Sequence, residues 1–296
     1  MKNSRYIITL SVLLMVALSL WANPQTPENR VLILRQQMSQ AITPEARIAI
    51  LQEVAETDCF QGMIFAQQFT SDKELGKVAK ATVKQLRKRH PEWKGFRSIF
   101  NGQDLTGWKG LVENPIKRSQ MTPAELKAAQ VKADEIMHRD WKVVDGKIAY
   151  VGHGFENLCT QRSYRDFEMY IDWQLDPRGA EPDAGIYLRG TPQVQIWDIA
   201  RVNVGAQVGS GGLYNNQKHR STPLCVADNT LGEWNTFRIR MQGEKVSVWL
   251  NGVLVVDQVV MENYWDRSQP IPAMDQIELQ AHGSLVYFRD IYVKEL

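Results

Sequence analysis

Three polar side chains recur at every second position near the C-terminus: Glu278, Gln280 and His282, in the run IELQAHG. On a β-strand alternate side chains point to opposite faces, so these three share one face while Ile277, Leu279 and Ala281 share the other. A carboxylate, an amide and an imidazole on one surface supply proton transfer and hydrogen bonding side by side. The same parity recurs upstream. In AGIYLRG, Gly185, Tyr187 and Arg189 fall on one face, and in PQVQIWD, Gln193, Gln195 and Trp197 do so, with Val194 and Ile196 opposite. Together these strands would offer amides and charges for hydroxyl groups and a flat indole for an apolar C–H face, the combination a sugar demands. Each residue also has a plainer use. A wet face is the default for an antiparallel sheet, Trp197 could be core, Arg189 could pair with Asp183 or Asp198, and His282 could simply end a strand.

Two loops extend this set. The glycine-rich run GSGGLYNNQKH (209–219) places Tyr214, Asn215 and Asn216 where a rim could touch a ligand. No P-loop Lys-Ser/Thr follows a strand there, so a phosphate cradle and a nucleotide cofactor are not expected. His153, between glycines in VGHGFENL, is expected on a loop able to approach a ligand. A divalent cation stays open: His282, Glu278, Asp198 and His153 could supply ligands, but no short metal-binding spacing is present, so no metal ligand is assigned. Cys59, Cys159 and Cys225 are too scattered for a zinc site, and Cys159 reads as a buried structural thiol.

These residues need elements to hold them, and the chain has two compositions. From Glu28 to His90 apolar residues recur at three- and four-residue spacing (Val31, Leu34; Ile48, Leu51, Val54; Leu75, Val78, Ala79, Val83, Leu86), which predicts a segment of three or four amphipathic helices over 28–92. Thr43 before Pro44-Glu45 marks one helix start; Ser71 with Glu74 three residues on marks another, as a capping box. The segment carries no catalytic group and reads as a packing appendage, with partner docking as its alternative. Its basic run KQLRKRH suits a helix C-terminus. From Gly95 onward the pattern becomes short runs rich in Val, Ile, Tyr, Phe and Trp between Gly, Asn, Asp and Pro. Phe237, Ile239 and Met241 alternate, then Val246, Val248 and Leu250, and Asn251-Gly252 closes a hairpin. A helix beginning at Thr122-Pro123 interrupts the strands. Many strands without βαβ alternation predict a mainly β fold of two antiparallel sheets packed face to face over residues 95–296.

The chain has 296 residues, 44% of them hydrophobic, enough for a full core. Residues 1–22 begin with Lys2 and Arg5, continue through an apolar run and end near Ala22, the pattern of a secretory signal, so a periplasmic or secreted protein with no stable membrane span after cleavage is expected. Loss of those residues removes two of the 35 basic residues and none of the 33 acidic ones, leaving the chain formally neutral. Neutrality without a basic run in the sandwich region argues against a nucleic-acid partner.

The runs FRSIFNGQDLTGWKG, SYRDFEMYIDWQL, GIYLRG, VQIWD, GSGGLYNN, GEWNTFRIRMQGEKVSVWLNGVLVVD, ENYWDR and LQAHGSLVYFRDIYVKEL, in that order, resemble the successive motifs of the bacterial 3-keto-disaccharide hydrolase domain, over about residues 96–296. The resemblance implies a concanavalin-like jelly-roll sandwich with a sugar-binding concave face. It also implies cleavage of glycosides already oxidised to a ketone at C3, where the C2 proton is acidified and a base can eliminate the glycosidic oxygen from C1, with water adding afterwards for net hydrolysis. On that reading His282 is the base, Arg189 or a bound cation stabilises the oxyanion, Asp198 or Glu278 orients them, and Gln195, Trp197, Tyr187, Gln280, Tyr214, Asn215 and His153 contact an oligosaccharide or glycoside substrate. One departure is Ala281, where an acid is expected before His-Gly. Ordinary hydrolysis needs two opposed carboxylates, and the ExDxE strand of concanavalin-like endoglucanases is missing; DFEMYID comes nearest. The alternative is a non-catalytic carbohydrate-binding module, because the same sandwich serves lectins.

Overall fold

The computed structural model describes residues 26–296; the expected signal, residues 1–22, lies outside them. Four helices come first: α1 (Pro27–Gln40), α2 (Pro44–Val54), α3 (Phe60–Gln67) and α4 (Gly76–Arg89). Thr26 and Thr43 cap α1 and α2, each hydroxyl accepting an N–H of the first turn at 3.2 Å, with proline at the first helical position where its missing N–H costs nothing. The capping box expected at Ser71 does not form. Asp72 instead accepts the N–H groups of Glu74 and Leu75, both at 2.8 Å, an Asx-type turn that puts the start of α4 at Gly76.

The strands are β1 (Arg97–Ser98), β2 (Trp108–Gly110), β3 (Trp141–Val144), β4 (Lys147–Tyr150), β5 (Leu158–Tyr164), β6 (Phe167–Leu175), β7 (Asp183–Leu188), β8 (Thr191–Trp197), β9 (Asn235–Gln242), β10 (Lys245–Leu250), β11 (Val253–Val260), β12 (Asp275–Leu279) and β13 (Val286–Glu295), with helices α5 (Pro115–Gln120) and α6 (Pro123–Asp140) between β2 and β3. They form two antiparallel sheets. The larger runs β11-β10-β9-β6-β13-β4-β3, with β1 beside β13; the smaller runs β2-β5-β12-β7-β8. The Asn251-Gly252 hairpin is present, with φ of 50° and 81° at its two turn residues, the left-handed pair that a two-residue turn requires. Thr122 forms a complete capping box with Glu125.

The C-terminal run is two strands in two sheets. β12 belongs to the smaller sheet, and residues 280–285 carry the chain across to β13 in the larger one. Between the sheets lies one apolar core, to which Ile277, Leu279 and Ala281 contribute from β12 and its extension, Ile186 from β7, Val194 and Ile196 from β8, and Trp173, Phe237 and Phe288 from the larger sheet. No described helix is long and apolar enough to cross a membrane.

The helices cover the outer face of the larger sheet. Phe60 stacks on Tyr170 of β6 with ring centroids 4.5 Å apart, and a helical core of Leu34, Leu51, Leu75 and Leu86 closes over that contact. Beside it lies a polar clamp. Asp172 of β6, fully buried, accepts from Gln61 of α3 at 2.6 Å and Thr236 of β9 at 2.8 Å, and Arg289 of β13 reaches its other oxygen at 3.2 Å. Arg35 of α1 pairs with Asp290 at 2.6 Å in the same layer. Removing one member strands a buried charge, so Asp172→Ala should lower unfolding stability by about 3–5 kcal/mol in urea titration, whereas Lys80→Ala, on the exposed side of α4, should change it by less than about 0.5 kcal/mol.

Candidate active site

The outer face of the smaller sheet holds the alternating polar residues. The register sets Glu278 opposite Cys159 on one side and Tyr187 on the other, Gly185 opposite Gln195, and Asp183 opposite Trp197. This is not an ordinary wet face: Glu278 is 1% exposed, Gln195 2%, Gln193 5% and Trp197 6%. Segment 209–213 runs along β8 as a further edge, with Gly211 N–H donating to Gln195 O at 2.7 Å and Gln195 N–H to Gly212 O at 3.0 Å. Gly211 must be glycine there, since φ is +96° and a Cβ would stand 2.7 Å from Val255. The indole of Trp197 donates to Gly209 O at 2.9 Å and takes Tyr214 edge-on at 5.3 Å, and Tyr214 is half exposed at the rim.

Amides crowd the middle of the face. A Cβ on Gly185 would lie 2.7 Å from Gln280 Oε1 and 3.1 Å from Gln193 Cδ, so the absent side chain makes room for both. Gln193 donates to Gln195, and Gln195 donates to Asp183 Oδ1 at 2.7 Å. Arg201 approaches Asp183 from the other side at 3.4 Å. Burial raises the Asp183 carboxyl above its ordinary range, while the His282 imidazole, Gln195 and Arg201 pull it back. His282 is half-buried, its ring edge-on to exposed Phe155 at 5.2 Å and its Nδ1 without a hydrogen-bond partner. Gln280 Oε1 likewise has none.

At the other end of the face burial pushes Glu278 up to about 7, against the pull of Arg118 and a hydrogen bond from Asn157. Tyr187 is raised too, first by burial and then by Glu278 beside it. Arg118 of α5 hangs over this end, held by Val112 O at 3.0 Å and Asp275 Oδ2 at 2.8 Å. Cys159, under Glu278, is a buried free thiol whose ionisation burial opposes.

Two expected members of the site are elsewhere. Arg189 does not continue the face of Gly185 and Tyr187. The β7–β8 register shifts after Ile186, and Arg189 and Gly190 form a turn with φ of 50° and 67°. Its guanidinium is buried among the carbonyls of Pro272, Ala273 and Gly243 and the carboxylate of Asp166, with no part in the polar face. Asp198 follows the last residue of β8 and folds back on itself, accepting the Ala200 N–H at 3.0 Å beside Trp173 at the sandwich end. Asp183 is the carboxylate that stands near His282 instead. Asn215 contributes its carbonyl to Arg267 at 2.7 Å, and His153 is exposed on a loop whose next residue, Gly154, accepts the Gly283 N–H at 2.9 Å. Ala281 faces the core, off the polar surface.

Asn157 and Arg118 were not anticipated. Asn157 shares the parity of Cys159, so alternation could have flagged it, as it could Asp183 two residues before Gly185. Arg118 lies on a short helix with no periodic signal, and only packing brings it in. Among the described residues no cluster of three His, Cys, Asp or Glu could hold a metal ion.

No protein of curated function matches the chain. Among solved structures it is similar to two of a protein from Parabacteroides distasonis provisionally described as a glycosyl hydrolase; both are 21% identical with TM-score 0.48, one covering 69% of this chain and 96% of the other, the second 68% and 99%. It is also similar to a carbohydrate-binding module from Bacillus subtilis, 9% identical, covering 65% of this chain and 98% of that one with TM-score 0.37. The family model of the 3-keto-alpha-glucoside-1,2-lyase-like domain matches residues 95–294, both sheets almost end to end, and the chain therefore belongs to that family.

Proposed function

We propose that the protein cleaves 3-keto-glycosides, with a 3-keto-disaccharide as the natural size of substrate, by removing the C2 proton and expelling the glycosidic oxygen from C1. The observation that carries the reading is His282, half-buried, within electrostatic reach of Asp183, a carboxylate fixed by Gln195 and Arg201. An imidazole held near a carboxylate is a base for the acidified C2 proton, and the carboxylate stabilises the imidazolium that results. Gln193 and Gln280 stand where amides can meet the sugar hydroxyls and the C3 oxygen, which gathers negative charge as the proton leaves. Tyr214, seated on buried Trp197, and Phe155 offer flat surfaces along the rim. The basic-then-apolar start of the sequence supports export, so the substrate would be met outside the cytoplasm.

Incubation with a 3-keto-disaccharide and with its unoxidised parent separates the readings: release of sugar from the keto form alone is expected. Tight binding of either with no product would make the sandwich a binding module, and cleavage of the parent would make it an ordinary glycosidase. His282→Ala should lower kcat on the keto substrate about 10²–10⁴-fold while the melting temperature holds, and an unchanged rate would remove His282 from the base role. Gly185→Ala should displace the amides of Gln280 and Gln193 from the middle of the face and raise KM at least about tenfold, as read from initial rates.

A further inference from the structure

Glu278 and Asn157 form a second unit on the polar face. The amide of Asn157 is oriented by two contacts that need its opposite ends: Oδ1 accepts the Ala281 N–H at 3.0 Å, and Nδ2 donates to Glu278 Oε2 at 3.2 Å. A half-turn of the amide would set N–H against N–H and oxygen against carboxylate, so the orientation is fixed. The backbone is held as well, because Asn157 O accepts the Leu111 N–H at 3.0 Å. Among the described residues the Glu278 carboxyl has this one side-chain hydrogen bond, which occupies Oε2 and leaves Oε1 for another partner. Around it stand Cys159 from β5, with Lys109 of β2 behind, Tyr187 from β7, Arg118 from α5 and Asp275 of its own strand. Burial keeps the thiol and the phenol protonated, so Arg118 and Asp275 are the charges that bear on Glu278.

We propose that Glu278 is the general acid that protonates the departing glycosidic oxygen, and that Asn157 is its positioning residue, an assignment that rests on the 3-keto-glycoside reading above. Glu278 and His282 stand four positions apart with Gln280 between them on the same face, at most about 14 Å between their Cα atoms, a span over which both can address one sugar unit. His282 takes the proton from C2, and the C2–H electron pair becomes the C1–C2 double bond. The C1–O bond breaks with its pair going to oxygen, and that oxygen takes the proton of Glu278 while C3 stays a ketone. Proton exchange through water returns His282 and Glu278 to their starting forms.

The test compares the full chain with Glu278→Gln on two substrates, a 3-keto-disaccharide, whose sugar leaving group needs protonation, and a 3-keto-glucoside of nitrophenol, whose leaving group does not. Glu278→Gln should slow the disaccharide about 10²–10⁴-fold and the nitrophenyl glycoside less than about tenfold; an equal loss on both would overturn the acid role. Because the acid must carry its proton, kcat/KM should fall as pH rises through about 7. Asn157→Asp is nearly isosteric and keeps the oxygen bound to Ala281, but it replaces the donor to Glu278 with a second carboxyl oxygen, whose like charge disfavours the Glu278 carboxylate. The upper limb of its pH profile should therefore move to higher pH by about one unit, with near-UV circular dichroism unchanged. A lower rate with an unmoved limb would reduce Asn157 to a structural residue. Cleavage of neither substrate by the unaltered chain would overturn the 3-keto reading itself, and this inference with it.

Discussion

Burial of Ile277, Leu279 and Ala281 between the sheets fixes the register of β12, and the whole polar face depends on that register. A strand has a side-chain period of two, so a slip of one residue would expose two large aliphatic side chains and drive Glu278 and Gln280 into the core. Each aliphatic residue contributes about 1.5–3 kcal/mol by burial, and each unpaired polar group forced inside costs about 1–3 kcal/mol. The apolar half of the strand thus positions the polar half without touching it. The same holds for Val194 and Ile196 beneath Gln193, Gln195 and Trp197, and for Ile186 beneath Gly185 and Tyr187.

The two ends of the face differ in electrostatics. Around His282 the imidazole is half-buried, Arg201 and Gln195 anchor Asp183, and exposed Phe155 covers one edge of the ring. Around Glu278 the surroundings are dry, and the carboxyl is held near neutrality by burial against the opposing pull of Arg118 and Asn157. A carboxyl and an imidazole in different environments at two ends of one face are a usual way for a site to separate an acid from a base.

The back of the molecule has another task. Helices α1–α4 bury the outer face of the larger sheet through Phe60 on Tyr170 and through the clamp of Asp172, Gln61, Arg289, Arg35 and Asp290. One large sheet face is thereby closed, and the polar floor lies on the opposite side of the sandwich. The division matches the composition of the two segments, since the helical part brings apolar stripes and paired charges and no group suited to chemistry.

Alternation in the sequence was enough to define the strands, the Asn251-Gly252 hairpin, the sandwich and the shared parity of Glu278, Gln280, His282, Gln195 and Trp197, because side-chain direction along a regular strand follows from local geometry. It failed where the strand stopped being regular. Arg189 lies past a register shift and in a left-handed turn, so counting by two sent it to the wrong place, and Asp198 lies one residue past the end of β8. Asn157 and Asp183 carried the right parity but stood at strand ends, where a pattern has too few repeats to be read. Arg118 reaches Glu278 only because α5 packs against the β7–β8 turn, a contact between segments far apart in the chain. What the sequence determined by itself was which face each strand residue takes, a property of the backbone period. Which polar groups meet there, and which are dry enough to titrate near neutrality, only the tertiary structure decided, because desolvation and hydrogen-bond partners depend on what folds over the sheet.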